Sequence, residues 1–266
     1  MQRSKLAIGV FDSGMGGLTV LSALRQVLPS ENFIYLGDMA RLPYGTKSSA
    51  TVQQYATQMT RILVEKEIKV LVIACNTATT AAQEHLQELY PDILVIGVVQ
   101  PGAKEAVRAS KQGHILVLAT ETTIASCAYH RAIQQHLPEA SVEGRACSLL
   151  VSLAEEGIVD HEITRLTLQY YLQDTKPYDT VLLGCTHFPV FEPLLSKMIP
   201  HIKIVDSALA TAEMVRDALI QKQLLNMQDK SQVSYLVTDG VDRFCRIGQI
   251  FLREHIASEC VQLIDA

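Results

Sequence analysis

Two cysteines of the sequence, Cys75 and Cys185, stand where a thiol gains reactivity. Each directly follows a short apolar run, Val70–Ala74 or Thr180–Gly184, and each precedes polar residues that favour the start of a helix. A thiol at a helix N-terminus is expected to have a lowered pKa, because the positive end of the helix stabilises the thiolate. A single cysteine at a strand end is usually a small buried hydrophobic residue. Two matched instances favour a site with two thiols.

A pair of thiols on opposite sides of a substrate suits the inversion of a carbon–hydrogen stereocentre without a cofactor. One sulfur removes the proton as a thiolate and the other delivers a proton to the opposite face as a thiol, and these roles exchange with the direction of reaction. The carbanion next to a carboxylate needs hydrogen-bond donors where negative charge develops. The Asn, Thr and Ser side chains and the backbone N–H groups of these turns are candidate donors. The pattern therefore predicts an enzyme that inverts the α-carbon of an amino acid.

Three further groups lie at turns beside these strands. Asp12 opens the run DSGMGG, which lacks the motif of a P-loop and the glycine spacing of a dinucleotide-binding turn. Asp12 is either a helix N-cap or a carboxylate that binds an ammonium group or assists a thiol. His187 is a candidate proton partner for Cys185; in a thiol hydrolase it would instead be the base for a nucleophilic Cys185, and Cys75 would have no role. Pro43–Gly45 alone is typical of a turn.

Composition and charge narrow the class of protein. The chain has 266 residues, of which 48% are hydrophobic and 19% charged, as expected for a folded chain with a sizeable core. A formal net charge of −5 argues against duplex nucleic acid as a partner. No apolar run approaches the roughly 18 residues of a membrane-spanning helix, and Leu6–Phe11 is shorter than the core of a signal peptide. We therefore expect a cytoplasmic protein with reduced cysteines, and since no C-x-x-C pair occurs, no metal site.

The elements that must position these residues alternate between short apolar runs and amphipathic stretches. Apolar residues recur with helical spacing in Thr51–Glu67 and Arg243–Ile256, and further helices are expected over Leu18–Leu28 and Thr79–Leu89. Strand–helix alternation predicts an α/β fold of mainly parallel sheets flanked by helices. The predicted strands are Leu6–Phe11, Phe33–Leu36, Val70–Ala74, Ile93–Val98, His114–Ala119, Ser141–Cys147, Thr180–Gly184, Ile202–Val205 and Val233–Val237.

A weak internal repeat divides the chain into two similar halves. Val70–Thr77 (VLVIACNT) matches Thr180–His187 (TVLLGCTH) at an offset of 110 residues, and two other pairs of apolar runs match at nearly the same offset. Ligands of open parallel sheets bind beyond the carboxyl ends of the strands, so the active site is expected in a cleft between the halves. We predict two pseudo-symmetric α/β domains, one of residues 1–98 plus 210–266 and one of residues 99–209.

Five segments carry motifs that are highly specific in combination: Phe11–Leu18 (FDSGMGGL), Gly37–Gly45 (GDMARLPYG), Ala74–Ala78 (ACNTA), Leu118–Thr123 (LATETT) and Gly184–Pro189 (GCTHFP). In these segments, and over nearly its whole length, the sequence resembles the glutamate racemases of the cofactor-independent aspartate/glutamate racemase superfamily. The resemblance implies interconversion of L-glutamate and D-glutamate, supply of D-glutamate for peptidoglycan, and in many members a homodimer.

The resemblance also implies roles for individual residues. Cys75 and Cys185 match the two acid/base thiols of the family, and Asp12 and His187 match the residues that assist them. Glu155 is left without an assigned role, because Ser148 and Ser152 stand before it where relatives often carry prolines. The implied substrate contacts are Asp12, Ser13, Pro43, Tyr44, Gly45, Asn76, Thr77, Thr120, Thr123, Thr186 and His187.

Two alternatives besides the thiol hydrolase stay open. The chain is either a glutamate racemase or a racemase of the same superfamily that acts on aspartate or on a hydantoin, which a substrate panel separates. A non-catalytic binding module of paired α/β domains, similar to periplasmic binding proteins, would bind its ligand without turnover. In such a module both cysteines would be dispensable.

Overall fold

The computed structural model describes residues 3–175, 177–227 and 231–265. Ten strands and eleven α-helices alternate along these residues. The elements up to residue 109 are β1 (Ala7–Asp12), α1 (Leu18–Val27), β2 (Phe33–Gly37), α2 (Ser49–Glu65), β3 (Ile68–Ile73), α3 (Asn76–Leu89), β4 (Leu94–Gly97) and α4 (Val99–Ala109). Those that follow are β5 (His114–Ala119), α5 (Glu121–Ala125), α6 (Ala128–His136), β6 (Ser141–Ala146), α7 (Ser148–Glu155), α8 (Glu162–Tyr171), β7 (Thr180–Gly184), α9 (Glu192–Met198), β8 (Lys203–Val205), α10 (Ala208–Gln221), β9 (Val233–Val237), α11 (Val241–Leu252) and β10 (Val261–Leu263).

The strands form two sheets in which every pair is parallel. The order is β10-β9-β2-β1-β3-β4 in the first sheet and β6-β5-β7-β8 in the second. The segment β2-β1-β3-β4 thus has the same order as β6-β5-β7-β8, so strands that match in the sequence repeat occupy the same positions. The predicted α/β fold of two mainly parallel sheets flanked by helices is confirmed. β9 and β10 return the chain to the first sheet, while the domain boundaries near residues 98 and 209 stay a prediction.

Both central strands that lead to the thiols are buried along their whole length. All residues of β3 and of β7 are buried, as expected for parallel strands that helices cover on both faces. One large apolar cluster joins the two sheets, since it contains Val72 of the first and Leu183 of the second. This shared core fixes the carboxyl ends of the two sheets relative to each other.

Lys69 is a charged residue inside β3, and its burial explains why the strand begins earlier than predicted. Its Nζ lies 2.5 Å from Glu31 Oε2 and donates to the backbone oxygens of Ser4 and Leu224 at 2.6 and 2.9 Å. The Lys69 and Glu31 side chains are 0% and 1% exposed. Because three acceptors surround the ammonium group, it can lie in a strand that otherwise contains only apolar residues.

Other boundaries differ from the predictions for local reasons. α2 begins at Ser49 rather than Thr51, because the Ser48 side chain accepts the Thr51 N–H and caps the helix. α11 ends at Leu252, before the predicted Ile256, where Arg253 takes a left-handed conformation with φ 62°. The sequence analysis missed β10, a strand of three residues that pairs at the edge of the sheet. Along the described residues, no helix combines the length and apolar character that crossing a membrane requires.

Candidate active site

The carboxyl ends of the central strands bring the two thiols into one buried site. Cys75 follows β3 after Ala74, and Cys185 directly follows β7; their residues are 5% and 7% exposed. Register pairs Phe11 of β1 with Ile73 of β3, so Asp12 lies beside the turn that carries Cys75. A negative charge on Cys185 is one of the smaller causes that raise the pKa of Cys75.

Cys75 is itself the N-cap of α3. Its Sγ accepts the Ala78 N–H at 3.4 Å, and the helix begins at Asn76 rather than at the predicted Thr79. The thiol also donates to Ser13 Oγ at 3.4 Å. Burial, together with the negative charge of Asp12, raises the pKa of Cys75 to about 12 despite these hydrogen bonds. The expectation of a lowered pKa is therefore wrong for Cys75, because loss of solvation outweighs the helix end.

Cys185 has a different set of partners. Its Sγ lies 3.8 Å from His187 Nδ1, and His187 Nε2 lies 2.5 Å from Glu155 Oε1. Burial alone would lower the pKa of His187, but the hydrogen bonds with Cys185 and Glu155 outweigh it, so the pKa is well above its usual value. The ring of His187 also packs edge-on against Phe251 at a centroid distance of 5.4 Å. The structure therefore aligns a thiol, an imidazole and a carboxylate.

Glu155, whose role the sequence left open, is the carboxylate of this line. It is the last residue of α7 and is 4% exposed. Arg243 Nη2 lies 4.0 Å from Glu155 Oε2 and also donates to Glu156 Oε1 at 2.9 Å. The sequence offered only one sign of this role for Glu155, namely an acidic pair at the end of a helix. The pair does not show which member is buried, and Glu156 is in fact exposed.

Asp12 connects the two thiol environments. Its Oδ2 accepts the Gly14 N–H at 3.0 Å, and its Oδ1 accepts the Thr186 hydroxyl at 3.3 Å. Burial raises the pKa of Asp12, while the charge of His187 and backbone N–H groups of Gly14 and Gly17 act in the opposite direction. The N-cap of α1 is Gly17 and not Asp12, so the N-cap interpretation of Asp12 is wrong.

Two glycines of the DSGMGG run allow this close packing. A Cβ on Gly16 would lie 2.5 Å from His187 Nδ1, and one on Gly17 would lie 2.5 Å from Asp12 Cβ. Both distances are far below a van der Waals contact, so a side chain at either position would displace the groups around the thiols. The run therefore serves close approach of backbone to side chains rather than binding of phosphate.

Three threonine hydroxyls form a cluster next to the turn that carries Cys75. Thr77 Oγ1 lies 2.9 Å from Thr120 Oγ1 and 3.3 Å from Thr123 Oγ1. Thr120 follows β5 and Thr123 lies in α5, so the cluster joins the two halves of the molecule. These are three of the predicted substrate contacts, and the structure brings their hydroxyls together.

The predicted Pro43–Gly45 contacts lie on a loop that packs against the threonine cluster. Gly45 is in close contact with Thr120, since a Cβ on Gly45 would lie 2.4 Å from Thr120 Cβ. The Thr122 hydroxyl is 2.9 Å from the backbone oxygens of both Gly45 and Lys47. Tyr44 and Gly45 are buried, whereas Pro43 is exposed at the rim. The loop thus contacts the threonine cluster through Gly45, and the substrate contact at Pro43 stays a prediction.

The buried carboxylate of Asp38 holds this loop in place. Tyr44 Oη donates to Asp38 Oδ2 at 2.5 Å, the Thr238 hydroxyl donates to Asp38 Oδ1 at 3.0 Å, and Arg41 Nε lies 2.7 Å from Oδ2. The Tyr44 side chain therefore anchors the loop through Asp38. Asp38 belongs to the GDMARLPYG segment, and the sequence analysis assigned it no role.

Tyr129 is a second residue that the sequence analysis missed. It lies in the first turn of α6, and its hydroxyl donates to Asn76 Oδ1 at 2.5 Å. An isolated tyrosine at the start of a helix gives no signal for such a contact, because Tyr129 and Asn76 are 53 residues apart in the sequence and meet only in the folded structure. Within the described part of the chain, no cluster of three or more His, Cys, Asp or Glu side chains has the arrangement of a metal site.

Comparison with known proteins identifies similar chains. A family model described as Asp/Glu/Hydantoin racemase matches residues 16–215. The chain is 45% identical to a glutamate racemase of Geobacter metallireducens over 250 residues, which is 92% of each chain. It is 43% identical to a glutamate racemase of Neisseria meningitidis over 248 residues, again 92% of each chain. A crystal structure of a glutamate racemase from Francisella tularensis in complex with D-glutamate matches with a TM-score of 0.92, 36% identity and 98% coverage of each chain.

Proposed function

This chain belongs to the Asp/Glu/hydantoin racemase family and is an amino-acid racemase, and we propose that it interconverts L-glutamate and D-glutamate through Cys75 and Cys185. The observation that carries the proposal is the pair of buried thiols at equivalent strand ends of two like sheets. A site with one sulfur for each face of the α-carbon is what inversion by two bases requires. Glutamate as the substrate rests on the relatives, which are named glutamate racemases at 43–45% identity.

In the proposed reaction, a thiolate removes the α-proton from one face and becomes a thiol. The opposite thiol donates its proton to the other face of the carbanion and becomes a thiolate, so one C–H bond breaks and one forms. No cofactor is needed, because protein hydrogen bonds stabilise the charge that spreads into the carboxylate. The hydroxyls of Thr77, Thr120 and Thr186 and the backbone near Gly45 are the proposed donors around the substrate.

The two thiols are unequal at rest in this proposal. With a pKa of about 12, Cys75 holds its proton at neutral pH. The raised pKa of His187 keeps a positive charge beside Cys185 Sγ, whereas the negative charge of Asp12 acts on Cys75. Asp12 acts on the Cys75 side and the His187–Glu155 pair on the Cys185 side. One turnover exchanges the two protonation states, so proton transfer with solvent must restore them.

Deuterium incorporation tests the two-base reaction directly. Each enantiomer of glutamate is incubated in deuterated water with the purified protein and no added cofactor. A thiol carries a single proton, so at early times deuterium should enter the α-carbon of the product and not that of recovered substrate. Cys75→Ser and Cys185→Ser should each abolish racemisation, and Cys127→Ser, at an exposed thiol, should retain it. Equal early labelling of substrate and product would contradict the two-base proposal.

The alternatives give different results in the same experiment. Faster exchange with aspartate than with glutamate would make this chain an aspartate racemase. The line of Cys185, His187 and Glu155 is also an arrangement that a thiol hydrolase uses, and that activity would give a covalent acyl-enzyme detectable by mass spectrometry. Unchanged optical rotation with ligand bound to folded protein would instead indicate a binding module.

The biological setting is part of the proposal. We propose that the D-glutamate produced serves peptidoglycan synthesis in the cytoplasm, and that the protein forms a homodimer as many family members do. Analytical ultracentrifugation of the purified protein measures the oligomeric state. Depletion of the protein from its host should be rescued by external D-glutamate, and a failure of that rescue would contradict the peptidoglycan role.

A further inference from the structure

Tyr129 is a buried tyrosine between the two turns that carry the thiols. Its residue is 2% exposed, and its hydroxyl donates to Asn76 Oδ1 at 2.5 Å. The ring lies against Gly184, because a Cβ there would be 2.9 Å from Tyr129 Cε2. Asn76 directly follows Cys75, and Gly184 directly precedes Cys185. One side chain therefore contacts the neighbour of each thiol.

The carboxamide of Asn76 has one end occupied and one end free. Its Oδ1 accepts the Tyr129 hydroxyl, whereas its Nδ2 is buried without an acceptor among the residues that the structure describes. The Asn76 residue is only 3% exposed. A buried N–H donor without a partner is unfavourable, and such a group in a native protein requires an explanation. A ligand that brings an oxygen to Nδ2 would supply the missing acceptor.

The geometry points to Tyr129 as a positioning residue, whose hydroxyl turns the Asn76 carboxamide so that Nδ2 faces the α-carboxylate of the substrate. The inference rests on the proposed function, since an amino acid is the ligand that brings this acceptor next to Cys75. Burial raises the pKa of Tyr129, so its hydroxyl stays protonated and donates. With the carboxamide turned over, Oδ1 would face the carboxylate and repel it. The fixed donor also strengthens its bond as the departing α-proton leaves charge on the carboxylate.

Steady-state racemisation by four proteins tests the link between Tyr129 and Asn76. The wild type, Tyr129→Phe, Asn76→Ala and the double variant are compared with L-glutamate as substrate, after thermal melts establish folding. We expect Tyr129→Phe to lower kcat/KM about tenfold, the value of one ordinary hydrogen bond. In the Asn76→Ala background the same change should have no further effect. Tyr178→Phe, which removes a hydroxyl bonded to Glu143, is the matched control and should stay within about twofold of wild type.

Either of two results would overturn the inference. Tyr129→Phe could have the kinetics of the wild type, or its loss could persist unchanged in the Asn76→Ala background, which would indicate a general packing role. Asn76→Asp tests the orientation without any change at Tyr129. It should raise KM for glutamate more than about a hundredfold, because it replaces a donor with a negative charge. An unchanged or lowered KM would mean that an oxygen already faces the ligand. Failure of the proposed function looks different, since the wild-type protein itself would then leave the α-proton of glutamate unexchanged.

Discussion

Glu155→Gln should move the pH dependence of racemisation, because it removes the negative charge that supports protonated His187. His187 Nε2 lies 2.5 Å from Glu155 Oε1 in a buried site, and this contact is one of the causes that raise the pKa of His187. A glutamine keeps the shape and an accepting oxygen but loses the charge. The substitution therefore isolates the electrostatic contribution from the packing.

The size of the effect follows from the kind of hydrogen bond that is lost. A hydrogen bond to a charged group contributes about 1.5–3 kcal/mol, and about 1.4 kcal/mol corresponds to one pKa unit. Because Glu155 raises the pKa of His187, its loss lowers that pKa, and the imidazolium loses its proton at a lower pH. The alkaline limb of kcat/KM, which reports the free enzyme, should move down by about one to two pH units. At a pH above both pKa values, where the alkaline limb falls for both proteins, the loss of activity should be about ten- to a hundredfold.

The assay is the rate of change in circular dichroism of D-glutamate at low conversion, measured from pH 6 to pH 10 for each protein. Glu156→Gln is the control, because Glu156 is exposed and bonds Arg243 instead of the imidazole; its profile should match that of the wild type. A Glu155→Gln variant with the same alkaline limb and a uniform loss of activity would refute the reasoning. Glu155 would then only support the packing of α7.

Other contacts give three further predictions. Lys69→Met removes the cation that pairs with the buried Glu31 carboxylate and should lower the free energy of unfolding by about 3–5 kcal/mol, as measured by urea denaturation. Adding Glu31→Gln should restore part of the loss. Full stability of Lys69→Met would contradict the importance of this ion pair. Thr122→Val removes the hydroxyl that bonds the backbone of Gly45 and Lys47. If this loop contacts the substrate as proposed, the variant should raise KM for glutamate about fivefold, while Thr122→Ser should not. Equal KM values would show that other contacts hold the loop. The pKa of Cys75 is about 12, so this thiol should react slowly with iodoacetamide at pH 8. Exposed Cys127 should be alkylated more than about a hundredfold faster, as measured by mass spectrometry. Comparable rates would show that Cys75 is not a buried, protonated thiol.

Much of the fold follows from patterns that are local in the sequence. Nine of the ten strands could be predicted, most of them because buried parallel strands are short apolar runs, although β6 (SVEGRA) has no buried residue. The repeat offset predicted which strands are equivalent. The missed strand, Val261–Leu263, has only three residues, and its place depends on pairing with a strand 26 residues earlier. The start of β3 was predicted two residues too late because Lys69 is charged, and its partner Glu31, which allows its burial, is remote in the sequence.

The candidate site was predictable where residues stand at strand ends, and less so where their properties depend on surroundings. The positions of Cys75 and Cys185 follow from the ends of β3 and β7. The pKa of Cys75 could not be inferred, because burial by the complete fold outweighs the helix end that the sequence reveals. Glu155 and Tyr129 reach the site from helices whose sequence carries no motif for it. Only the packing of α7 and α6 against the strand ends brings them there.

The repeat also explains why the site is symmetric in its thiols and asymmetric in everything around them. In the proposed reaction, the pseudo-twofold arrangement would place one sulfur on each face of the α-carbon, as inversion requires. The same symmetry would also make the two edges of the candidate site alike. An amino acid, however, has three different groups on its α-carbon: an ammonium group, a carboxylate and a side chain. The equivalent positions have accordingly different chemistry: β1 ends in Asp12 where β5 is followed by Thr120, and Thr77 on one side corresponds to His187 on the other. Three threonine hydroxyls thus cluster on one edge, while Asp12 and His187 lie with the Thr186 hydroxyl on the other. A substitution that made the two edges alike would keep both thiols and lose the orientation of the substrate between them.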